Sequence, residues 1–173
     1  FVLGYQSPND SSSSTDFEFI LMDWQKQGSK GFGSHLPYLS VNYVDLDSRG
    51  YSSQLWSHNN KWGASGSQFV RLASSDIEGW QKNRMYDFQA TYSTTGLSVT
   101  IKKAWGDKSV VASIDITLPF TTTVAGQSVT ISEFKKGKFG FYNYSQGGAK
   151  YGNFVDIPPS IGGTDPGTVF SRI

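Results

Sequence analysis

Cysteine is absent from the 173 residues. That excludes a disulfide framework, a thiol nucleophile and zinc sites built on thiolates, although a domain of this size can be secreted without disulfides. Histidine occurs only at His35 and His58, too little for a His-rich metal site. Charge is scarce and balanced: 17% of residues are charged, with 15 Lys and Arg against 14 Asp and Glu. The basic footprint of a nucleic-acid binder is therefore missing. No apolar run approaches the roughly 18 residues of a membrane span. No signal-peptide pattern is present, and Phe1-Val-Leu-Gly-Tyr5 reads as the interior of a longer chain, so the expectation is a natural start upstream.

What is present is aromatic and hydroxyl-rich. The 12 Phe, 9 Tyr and 5 Trp demand burial and exclude intrinsic disorder. Ser, Thr and Gly, at 56 residues together, match the composition of all-β extracellular modules. The length suggests one domain.

The apolar period is two along most of the chain. Strands are predicted over 1–6, 16–27, 38–46, 53–57, 68–74, 110–118, 137–145 and 151–157, with a hairpin of 85–93 and 97–104 around Thr94-Thr95-Gly96. Residues 58–67 are turn chemistry throughout, and 120–127 reads as a loop. Residues 75–82 form a bend or short helical turn anchored by Trp80, and Trp105-Gly106-Asp107 a tight turn. Turns every 8–12 residues, with no sustained helical pattern, predict an antiparallel sandwich or barrel. After Ile157 the composition shifts to a Pro/Gly linker, ending in a strand-like Thr168 to Ile173.

The order of several motifs resembles the thrombospondin C-terminal domain: FVLGYQ at 1–6, MDWQKQ at 22–27, LWSH at 55–58, VRLASSDIEGW at 70–80, and GKFGFY at 137–142. Asn153-Phe154 stands where that family has its last strand. The resemblance spans residues 1–157. It implies an all-β, antiparallel jelly-roll β-sandwich of the concanavalin A-like kind, as found in matrix proteins and microbial adhesins. It also implies an extracellular (secreted or cell-surface) setting. That family carries an acidic, calcium-binding segment and a strand ahead of the FVLGYQ motif. Since the sequence opens at Phe1, the expectation is an unpaired sheet edge along 1–6.

Calcium is the ion best suited to oxygen ligands on loops. The metal-ligand candidates are Asp45 and Asp47, spaced i and i+2 before Gly50, together with Asp76, which falls at a functional position of the resembled family. The plain alternative for Asp45 and Asp47 is an Asx turn. Trp62, among Asn59, Asn60 and Lys61, offers a loop aromatic for a peptide or glycan, with the asparagines supplying hydrogen bonds. Trp105 at a hairpin tip is similar, while Trp24, Trp56 and Trp80 read as core. Asn9-Asp-Ser11 and Asn143-Tyr-Ser145 are glycosylation acceptors.

Asp16 and Glu18 share a strand face and are the one candidate acid pair for glycoside hydrolysis. The only other Glu residues, Glu78 and Glu133, are distant in sequence, and the composition argues against an enzyme. Three readings follow: an adhesion or matrix module binding a protein, peptide or glycan through rim loops, with calcium assisting; a fibre subunit self-associating through the tail at 158–173; and a glycan-active hydrolase. The fibre reading rests on strand addition to the expected open edge at 1–6.

Overall fold

The computed structural model describes residues 1–6, 17–26, 38–46, 61–62, 68–76, 78–124, 126–141 and 150–152. Among them there is no helix, and every strand ladder is antiparallel. The strands are β1 (Val2–Gln6), β2 (Phe17–Trp24), β3 (Leu39–Leu46), β4 (Lys61–Trp62), β5 (Gln68–Ser75), β6 (Tyr86–Ser93), β7 (Gly96–Lys103), β8 (Val110–Thr117), β9 (Phe120–Val124), β10 (Gln127–Ile131) and β11 (Lys138–Gly140). They form a six-stranded sheet in the order β11-β1-β2-β3-β5-β4, a three-stranded sheet β6-β7-β8, and the hairpin β9-β10.

The two larger sheets share one core, a β-sandwich-like arrangement. Ile20, Met22, Val41 and Val70 of the six-stranded sheet cluster with Phe88, Val99, Ile101 and Ile114 of the three-stranded one. Val124, Val129, Ile131 and Phe134 complete this cluster from the β9–β10 segment. Each such side chain contributes about 1.5–3 kcal/mol on leaving water. Strands β6 and β7 alternate buried and open positions, as expected where one face meets the core.

The six-stranded sheet differs, because both of its faces are apolar. Ile20 and Met22 point to the shared core, while Phe19, Leu21, Val44 and Phe69 form a second cluster with Val2 and Tyr5 against it. The near-continuous apolar run FEFILMDW is what a strand covered on both faces requires.

The turns follow local chemistry. Thr94 and Thr95 join β6 to β7, with the Ser93 hydroxyl accepting from the Thr95 N–H at 3.2 Å. Gly106 adopts φ 61° in the turn after Trp105, and Asp107 Oδ1 accepts from the Ser109 N–H at 3.1 Å. The bend around Trp80 is held by its N–H donating to the Gln25 carbonyl at 2.9 Å.

Three expectations are corrected. Residues 120–127 are not a loop: β9 and β10 pair through Gly126 at φ 82°. The β-branched run Thr121 to Thr123 extends readily, and Thr121 and Thr130 meet through their hydroxyls at 3.0 Å. Residues 58–67 are not turn throughout, because Lys61 and Trp62 pair with β5. The edge at 1–6 is not open either: β1 lies between β2 and β11, with Val2 opposite both Leu21 and Gly140. Strand addition at β1 therefore has no edge to use. The tail at 158–173 and the predicted strand at 53–57 lie outside the described residues.

Candidate functional site

Of the predicted site residues among the described ones, Asp45 and Trp62 lie toward one end of the six-stranded sheet and Asp76 at the other. At one end, register aligns four positions across β2, β3, β5 and β4. Glu18 stands opposite Asp45, Asp45 opposite Gln68, and Gln68 opposite Trp62. Three interstrand steps make this row about 14 Å long. Glu18 and Asp45 alternate with Phe19 and Val44, which puts them on the core-facing side at the mouth between the sheets, both half-buried.

Around Glu18 the mouth is polar but anchored. The Tyr43 hydroxyl donates to Glu18 Oε1 at 3.0 Å. The Tyr92 hydroxyl donates to the Lys135 carbonyl at 2.7 Å, and its ring stacks on Phe134 at 5.6 Å. Phe134 is fixed by its N–H, which donates to the Thr94 carbonyl at 2.9 Å. Gly4, Glu18, Tyr43, Tyr92 and Lys135 line a shallow recess here.

Burial pushes the Tyr43 hydroxyl far above its ordinary ionisation range, and the negative charges of Glu18 and Asp45 push it further. Tyr92 is raised for the same reasons, by burial and then by Glu18. The Lys135 ammonium is held in its charged form first by the hydrogen bond to Glu133 at 3.1 Å, then by Glu18. Both tyrosine protons are committed within the protein.

At the opposite end lie Trp105 and Asp76. Trp105 is half-buried: its ring meets Tyr86 edge-on at 4.9 Å and carries the Arg84 guanidinium at 5.1 Å. Tyr86 in turn meets Trp24 at 4.7 Å, and the Trp24 indole N–H donates to the Glu78 carbonyl at 3.1 Å. Glu78 pairs with Lys103 at 3.4 Å. Asp76 is exposed, and its Oδ1 accepts from the Tyr38 N–H at 3.3 Å.

Asp45 and Asp76 are thus separated by the length of β5, about 25 Å, and cannot share one ion. Among the described residues no three His, Asp or Glu side chains group as metal ligands. Asp47, Asn59, Asn60, Asn9, Asn143 and Asp16 lie outside the described residues. The sequence paired Glu18 with Asp16 along one strand; register adds Asp45 from the next. Tyr43, Tyr92 and Lys135 went unnoticed because they carry no motif and meet only through long-range packing. No helix among the described residues is long and apolar enough to cross a membrane. Comparison with protein-family models, curated proteins and solved structures finds no match.

Proposed function

We propose that this chain is a non-catalytic extracellular module of adhesion or matrix type, with the jelly-roll topology that its resemblance to the thrombospondin C-terminal domain implies. Its ligand, a peptide or a glycan, sits at the mouth of the sandwich. The observation that carries this reading is the cross-strand row: Trp62 and Asp45, singled out separately in the sequence, fall in line with Gln68 and Glu18. A row of polar positions ending in a tryptophan suits recognition by hydrogen bonds plus one aromatic anchor. Calcium, where it assists, draws on Asp45 with Asp47, or on Asp76 at the far end of β5.

The test is retention on an array of immobilised matrix peptides and glycans. Trp62→Ala abolishes retention while leaving the β-type circular dichroism spectrum intact. Wild-type retention by the Trp62→Ala protein overturns the reading. Repeating the array with a calcium chelator separates the calcium-assisted form from the calcium-free one.

A further inference from the structure

We propose that the outer edge of β8 is a docking site for an extended peptide segment, which adds antiparallel to it with a lysine or arginine opposite Asp115 and apolar residues on either side of that cation. The edge belongs to the three-stranded sheet, whereas the row above belongs to the six-stranded one, so this inference goes beyond the preceding reading.

Main-chain groups come first. Residues of β7 alternate between its two neighbours: the Ala104 N–H donates to the Met85 carbonyl on the β6 side, and the Lys103 N–H to the Ser109 carbonyl on the β8 side. Odd-numbered residues of β7 therefore bond to β8, through Ile116, Ile114 and Ala112. Ser113, Asp115 and Thr117 turn their N–H and C=O groups away from β7, and among the described residues no strand meets them there. All three residues are exposed, and the register is unbroken from Ala112 to Thr117. The far edge of the same sheet differs. Phe88 and Ala90 turn their main-chain groups outward from β6, but they are 2% and 0% exposed, so that edge is closed over. Outward donors and acceptors at every second residue of an open strand are what strand addition uses.

Side chains decide the occupant. Ile114 and Ile116 belong to the shared core, so the inward residues of an added strand lie beside apolar neighbours. On the outer side Asp115 stands opposite uncharged Ser98, and it makes no ion pair among the described residues. A second copy fits badly. The antiparallel self-pairing that engages all three outward positions sets Asp115 against Asp115 of the partner subunit, and like charges directly opposite repel. A cation at that place is attracted instead.

The experiment titrates the full chain with two capped peptides, Thr-Val-Lys-Val-Thr and Thr-Val-Glu-Val-Thr, and follows amide hydrogen exchange by NMR. The lysine peptide is expected to bind at least about two-fold more tightly than the glutamate one, and to slow exchange at Ser113, Asp115 and Thr117. Ser113→Pro removes an N–H that the β7–β8 ladder does not use, and weakens binding about ten-fold. Asp115→Lys reverses the preference between the two peptides, a readout that loss of folding cannot mimic. Equal binding of both peptides, or binding that leaves those three amides unprotected, overturns the proposal. Protection of the same amides that grows with protein concentration in the absence of peptide makes a second copy the occupant and overturns it too.

Discussion

The Tyr92 hydroxyl occupies the space into which any side chain at Gly4 would project. Gly4 has φ 65°, and the Lys135 carbonyl that accepts the Tyr92 proton closes the same space. Gly4 thus lets β1 pass directly over the tyrosine. Gly4→Ala combines a left-handed alanine, costing about 1–2 kcal/mol, with overpacking of about 1–3 kcal/mol. Denaturant melts should show a loss near 3 kcal/mol, of which Tyr92→Phe in the same chain restores part. Additive losses in the double variant contradict this fit.

Alkaline titration gives a second outcome. Tyr43 and Tyr92 hold their protons more tightly in the folded chain than in the unfolded one, where a value of 10.0 applies. Their contribution to stability is present in full below that pH and drains away as pH rises from there toward their folded-state values. Near-ultraviolet absorbance should show at least two tyrosines that ionise only as the β-type spectrum collapses. Two tyrosines titrating normally at 43 and 92 in the intact fold would contradict the packing of the mouth.

Leu21 tests whether the second face of the six-stranded sheet is a true core. Leu21 and Val44 are 0% exposed, on the face opposite Ile20 and Met22. Leu21→Ala should cost about 2–5 kcal/mol, the range for buried leucines. A loss under about 1 kcal/mol would mark this face as solvated.

The sequence marks Trp105 as a candidate ligand-binding aromatic at a hairpin tip. Its packing on Tyr86 and under Arg84 leads to a different expectation. Trp105→Ala should lower the thermal midpoint through about 2 kcal/mol of lost packing, with array retention unchanged. Neutralising its neighbour in the pair Glu78–Lys103, whose side chains are 22% and 26% exposed, should cost under about 1 kcal/mol.

Most strands were legible because side-chain alternation and turn residues act locally. The β6–β7 hairpin is the clearest case, with Thr94 and Thr95 marking its turn. Strand β9 was hidden because threonine counts as polar while its branched Cβ favours extension, and only Val124 of that strand is buried. Strand β4 was hidden by its turn-rich flanks. The opposition of Glu18 and Asp45, and the covering of β1 by β11, depend on register between distant segments. No single-strand pattern encodes that.

The pairing of Val2 with Gly140 also sets an order of events during biosynthesis. β1 leaves the ribosome well before its outer neighbour β11, which lies far downstream in the sequence. Such long-range closure slows folding, and until it happens the nascent β1 presents a bare flank to other chains. That flank is covered only once the 138–140 segment has followed and paired.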